Sequence, residues 1–229
     1  ESYAYMKYDI RTNKRNCLLL AIPTMYAIAN TGVREHVGET YDRVVMKRPG
    51  DMRLTQMLER NTIPYGMRTM PTVLKYLTPL IYEELLIDGR IISPFHPRNR
   101  RFYRYKVSPF MRGAVIVSFR PRLKNTKLVR GWARIEESTG RILETSFDGE
   151  YDLVRFHVTM TTGDEGVKTL MPAQCNLNTR FLFLGNDITA EYTTVFDLPK
   201  KLPDSVKIVN RRDTALLNLV RPIPTNSHE

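Results

Sequence analysis

Apolar and polar positions alternate along most of this chain. Val115, Val117 and Phe119 are set against Ser118 and Arg120, and Val154, Phe156 and Val158 against Arg155 and His157. A period of two is that of a strand with one face buried and the other in water. On this pattern strands are expected over Glu1–Arg11, Asn16–Ile22, Val33–Lys47, Leu85–Ile92, Arg100–Lys106, Ala114–Arg120, Leu128–Glu136, Arg141–Asp148, Tyr151–Thr161, Leu170–Leu184 and Ile188–Phe196. Their connections are short and carry glycine: Asp88-Gly89, Ser138-Thr139-Gly140, Asp148-Gly149, Gly163-Asp164-Glu165-Gly166 and Gly185-Asn186-Asp187. Such turns select hairpins between antiparallel neighbours over helical crossovers.

Two stretches break the alternation. Asp51 can cap a helix reaching Glu59 or Arg60, with Leu54, Met57 and Leu58 at helical spacing. Thr69 and Pro71 suit the start of a second helix, whose stripe is Val73, Leu74, Leu77, Leu80 and Ile81, with Pro79 near its end. The expected fold is therefore mostly β (α+β): a curled antiparallel sheet or unclosed half-barrel, with two or so helices covering the concave face. Residues 1–202 are read as one such domain and residues 203–229, ending in Arg221-Pro222-Ile223-Pro224, as a C-terminal extension or linker.

The 229-residue length suits a single β-rich unit, and 42% hydrophobic with 26% charged residues excludes an intrinsically disordered chain. No apolar run approaches the ~18 residues of a spanning helix. The chain begins at Glu1 without an initiating Met or a basic-apolar leader, so either a removed signal segment or a piece of something longer is expected. Cys17 and Cys175 fit neither a redox pair nor a zinc spacing; they are read either as a disulfide or as two separate thiols.

Catalytic templates find little purchase. Phosphate-loop, dinucleotide, nucleophile-elbow and zinc-protease motifs are all missing. Ser146, Asp148, Glu150 and Asp152 with His157 contain the residue types of a hydrolytic triad, but they are also what a solvated hairpin contains. The expectation is a protein that is not an enzyme, with no metal and no cofactor.

Charge changes the picture more. The net charge is +11, and between Asp88 and Glu136 there is no acidic residue but thirteen Lys and Arg. Within that block Arg120, Arg122, Lys124 and Arg130 are candidates to hold an anion or headgroup; the alternative is an ordinary solvated strand face. Phe102, Tyr103, Tyr105 and Phe110 interleave with its arginines, yet without the glycine-aromatic signature of an RNA reader, so nucleic acid is not the favoured partner. Met57, Met70, Leu74 and Leu77 could line an adaptable apolar groove, with Trp132 or Phe147 as further liners of a concave face; packing in a core is the alternative.

One run resembles a known family. Ser93-Pro94-Phe95, Tyr103-Arg104-Tyr105, Val117-Ser118-Phe119-Arg120-Pro121-Arg122-Leu123-Lys124-Asn125-Thr126-Lys127-Leu128-Val129-Arg130-Gly131-Trp132 and Glu136–Gly140 with Arg141-Ile142 are similar to a domain of unknown function in Gram-negative outer-membrane proteins. That domain sits behind a carboxypeptidase-regulatory-like domain and ahead of a β-barrel. More distantly the segment resembles the half-barrels of the lipoprotein carriers of the LolA and LolB kind. The resemblance implies a periplasmic or outer-membrane-associated module. Its expected role is to bind a lipid-like, lipoprotein or peptide ligand in a concave apolar face, as part of outer-membrane biogenesis or transport. The alternatives are a structural module that docks on an envelope protein through its edge strands or basic face, and, behind it, a nucleic-acid-binding protein.

Overall fold

The computed structural model describes residues 2–23, 25–48, 51–62, 83–86, 89–111, 113–151, 153–162, 173–202 and 214–222. Twelve strands are found among them: β1 (Ser2–Lys14), β2 (Glu35–Arg48), β3 (Asp51–Asn61), β4 (Leu85–Leu86), β5 (Ile91–Ile92), β6 (Tyr103–Pro109), β7 (Ala114–Pro121), β8 (Arg130–Glu136), β9 (Ile142–Tyr151), β10 (Val154–Thr161), β11 (Gln174–Phe183) and β12 (Asn186–Leu198). Ten of them form one antiparallel sheet in the order β3-β2-β1-β12-β11-β10-β9-β8-β7-β6, which does not close on itself. The first and last strands thus meet inside the sheet, with Tyr8 opposite Tyr192, and join a short meander to a long one.

Alternation decides which side of each strand is covered. Met6, Tyr8 and Ile10 of β1, Phe119 of β7, Phe147 of β9, Phe156 and Val158 of β10, and Leu177 and Phe181 of β11 enter one buried cluster. Lys7, Arg11, Arg120, Asp148 and Arg155 face the other way and are exposed. The expected mostly-β, unclosed antiparallel architecture is the one observed, and short helical elements do cover the apolar face. A 3-10 turn (Cys17–Ala21) and helix α1 (Tyr26–Thr31) contribute Leu19, Met25 and Ile28 to the cluster.

Those helical elements are not the expected ones. Residues 17–21, expected as a strand, form the 3-10 turn because the Asn16 side chain accepts a hydrogen bond from the Leu18 amide at 3.0 Å, capping a turn in place of a ladder. The helix expected from Asp51 is instead β3, the sheet edge paired to β2 from Met46/Met52 to Gly38/Asn61. A register shift beside Tyr41 and Asp42 skips Met57. One extra residue in a strand makes an alternating pattern mimic helical spacing, and the long-range ladder overrides the local preference. The helix expected over 70–81 and the turn at 163–166 lie outside the described residues. Leu85–Leu86 and Ile91–Ile92, expected within one strand, pair as a separate small hairpin, β4 with β5; Arg100–Phe102, expected as strand, end a 3-10 turn, Pro97–Phe102; and Asp148-Gly149, expected as a turn, lie inside β9, paired to His157 and Phe156 of β10.

The residues that carried the family resemblance hold the scaffold. Phe95 packs edge-on against Phe119 with ring centroids 5.3 Å apart. Asn99 donates to the carbonyls of Glu84 at 2.7 Å and Ser93 at 3.0 Å, and Tyr105 donates to the Pro94 carbonyl at 2.7 Å. Together they seat the 83–102 segment on the sheet. In the C-terminal extension, helix α2 (Thr214–Val220) folds back over the outer face, where Leu217 and Val220 join Tyr3, Tyr5, Tyr41 and Leu58 in a second buried cluster. Arg221 clamps it by donating two hydrogen bonds to Glu39, 2.8 and 2.9 Å long.

Cys17 is exposed and Cys175 is buried. Lys14 stands opposite Asp187, whereas Cys175 stands opposite Thr194. Seven strand residues, roughly 23 Å, separate the two levels, so the thiols do not pair.

Candidate functional site

The outer face of β7 to β11 carries a cleft of about 960 Å³. Its floor follows from register. Arg130 of β8 stands opposite Asp148 of β9, Asp148 opposite His157 of β10, and His157 opposite Asn178 of β11. One step toward the hairpin tips, Glu150, Arg155 and Arg180 form the next row. Directly opposed residues share a face, so two rows of polar side chains line one surface. The β7–β8 connection, residues 121–129, is the wall. Arg122 anchors it by donating from Nε to the Tyr103 carbonyl at 2.8 Å, and the Asn125 side chain accepts from the Lys127 amide at 2.9 Å, an Asx turn.

Charge in the cleft is lopsided. Arg120, Arg122, Lys124, Arg130, Arg155 and Arg180 face the carboxylates of Asp148 and Glu150, six cations against two anions. Arg180 is tied by a two-pronged contact to Asp187 at 3.1 and 2.9 Å, which holds the Asp187 carboxyl below the usual carboxylate range. The His157 Nδ1–H donates to Asp148 at 2.8 Å. Its Nε2 lies 3.3 Å from both the Ser146 and the Thr159 hydroxyls.

The hydroxyl–imidazole–carboxylate relay has the connectivity of a hydrolytic triad. β9 and β10, which carry it, are interior strands of the sheet. What the arrangement offers is a cluster of guanidinium groups around an oriented imidazole, a donor set suited to phosphate oxygens.

The family model described as a family of unknown function, DUF5686, matches residues 4–198. The chain belongs to the DUF5686 family. No curated protein matches it. Among solved structures, a LolA superfamily protein from Nitrosomonas europaea is 11% identical, over 90% of this chain and 89% of that one, with a TM-score of 0.25. The family agrees with the resemblance to a domain of unknown function read from the sequence.

In this DUF5686 chain the four cations singled out in the sequence, Arg120, Arg122, Lys124 and Arg130, all border the same cleft. Arg155, Arg180 and Asn178 do not stand out in the sequence. Their strand alternation puts them on the outer face, but only the β9-β10-β11 register brings them beside Arg130. Among the described apolar candidates, Phe147, Trp132 and Met57 do not come together. Phe147 is 2% exposed in the main cluster, and Trp132, half-buried, stands opposite Ser146 on the outer face. Met57 packs against the second cluster, under α2. Met70, Leu74 and Leu77 lie outside the described residues. Among the described residues no three His, Cys, Asp or Glu side chains are grouped to hold a metal ion.

Proposed function

We propose that this chain is a non-catalytic ligand-binding module of the cell envelope whose basic cleft grips the phosphate of an amphiphilic ligand, a lipid-like molecule or a modified lipoprotein. The observation that carries the reading is the cleft's six cations, of which Arg180 is already held by Asp187, against two lining carboxylates, converging from four strands and a loop. Guanidinium forks recognise phosphate with paired hydrogen bonds. The envelope setting rests on the sequence resemblance to outer-membrane domains and is part of the proposal.

A docking module that recruits a partner strand is less well supported. Among the described residues β6 is an edge strand, but Lys106 and Pro109 lie on it, residues that blunt an edge against pairing.

The only tryptophan of the chain supplies the test. Trp132 lies two residues from Arg130 on the same face of β8, so titration with glycerol phosphate is expected to change its fluorescence saturably and in a salt-sensitive way. The double variant Arg130→Gln/Arg155→Gln removes two charge-assisted hydrogen-bond donors and is expected to weaken that response at least about tenfold. A response absent in the parent chain, or unchanged in the variant, overturns the reading.

A further inference from the structure

Exposed apolar side chains gather at one end of the sheet. Leu18 and Leu20 lie on the 3-10 turn after β1, Leu123 on the β7–β8 loop, Leu153 in the β9–β10 turn, and Phe183 with Leu184 at the β11–β12 tip. Register puts all four connections at the same end: Lys14 is opposite Asp187, Asp187 opposite Leu182, and Phe181 opposite Val154. Asn16 binds the first to the last by donating to the Leu184 carbonyl at 2.7 Å. Leu123 is 79% exposed and Leu184 55%.

Two of these leucines are misplaced for folding alone. Leu153 has φ 69° and Leu184 has φ 48°, the left-handed region that glycine and asparagine enter readily and a bulky residue enters at a cost. Neither side chain is buried in return. Backbone strain kept at an exposed position, with no packing to offset it, is the kind of outlier from which a functional role is inferred.

Cations surround the tips. Lys14, Arg15, Lys124, Lys127, Arg155 and Arg180 are exposed at this end. We propose that this end of the sheet docks on an anionic lipid bilayer, with the leucine and phenylalanine tips in the interfacial layer and the cations against headgroup phosphates. A bilayer accepts separately protruding apolar tips without shape complementarity, and its negative surface potential favours a basic collar. The proposal goes beyond the cleft reading: Lys124, Arg155, Arg180 and Leu123 are shared with the cleft, whereas the apolar tips Leu153, Phe183 and Leu184 do not line it.

The test is co-sedimentation of the chain with phosphatidylcholine vesicles prepared with and without phosphatidylglycerol. Binding is expected only to the phosphatidylglycerol vesicles, and is expected to fall with salt. The Leu153→Asn/Leu184→Asn variant is expected to melt no lower than the parent, because asparagine tolerates the left-handed conformation, yet to partition at least about tenfold more weakly. Its Trp132 response to glycerol phosphate is expected to stay intact, so a failure here is distinguishable from a failure of the cleft reading. Leu123→Ser probes the same surface without touching either strained turn, and is expected to lower partitioning as well. No parent binding to phosphatidylglycerol vesicles, or parent-like partitioning by the leucine variants, overturns the proposal.

Discussion

Replacing Phe147 separates a packed core from a ligand-lined cavity. Its ring is 2% exposed and sits 6.3 Å from that of Phe95 and 6.5 Å from that of Phe119; Phe95 and Phe119 are themselves in contact. Phe147→Ala removes one ring of this trio, and the surrounding β-strands cannot collapse into the space. The loss is expected to be about 4 kcal/mol, transfer and cavity contributions together. That is a large part of the 5–15 kcal/mol, roughly, by which domains are stable. Phe147→Leu, which refills most of the volume, is expected to cost about 1–2 kcal/mol. Urea unfolding followed by far-UV circular dichroism reads both, and a midpoint lower by roughly 1.5–2 M is expected for the alanine variant. Glycerol phosphate binding by the folded fraction is expected to be unchanged, since the ring faces away from the cleft. A loss under about 1 kcal/mol would show that the ring is not packed; weakened binding with unchanged stability would make it a ligand contact and refute the core assignment.

Three further outcomes are expected. Gly131→Ala should destabilise by about 3 kcal/mol, since an added Cβ would stand 2.1 Å from the Ser146 carbonyl oxygen and 2.6 Å from the Phe147 Cα, backbone atoms that cannot yield; a parent-like denaturation curve would contradict the β8–β9 register. Arg221→Ala removes both donors from Glu39, and is expected to cost about 1 kcal/mol at this partly solvated pair and to speed amide hydrogen exchange in α2 and in β2 around Glu39; unchanged exchange in α2 would count against the clamp. Alkaline titration should unfold the chain. Tyr5 is pushed up to about 12 by burial, with Glu39 adding to it, and burial likewise raises Tyr103 and Tyr192. Such phenols ionise first in the unfolded chain, so their contribution is complete below pH 10 or so and is lost as pH rises through the raised folded-state values, about 12 for Tyr5, at a cost of roughly 1 kcal/mol per phenol by pH 11; urea midpoints equal at pH 9 and 11 would refute this.

Strand alternation is a local property, so the strands of the long meander from β6 to β12 were legible in the residues themselves, although Asp148-Gly149, read as a turn, lies inside β9. Val154, Phe156 and Val158 needed no partner to show which side they bury, and the acid-free block marked Arg120 to Arg130 as unusual before any fold was known. Local patterns misled where one extra residue or one side-chain hydrogen bond changed the period, at Met57 and at Asn16. What only the tertiary structure decided was pairing across distance. The ladder joining β1 to β12 and the register aligning Arg130, Asp148, His157 and Asn178 depend on which strands meet, which no local period encodes. The same holds for Trp132 and Phe147. Both looked like liners of one concave face, but they occupy neighbouring strands with opposite phase, and a register shift of a single residue separates the core of this molecule from its surface.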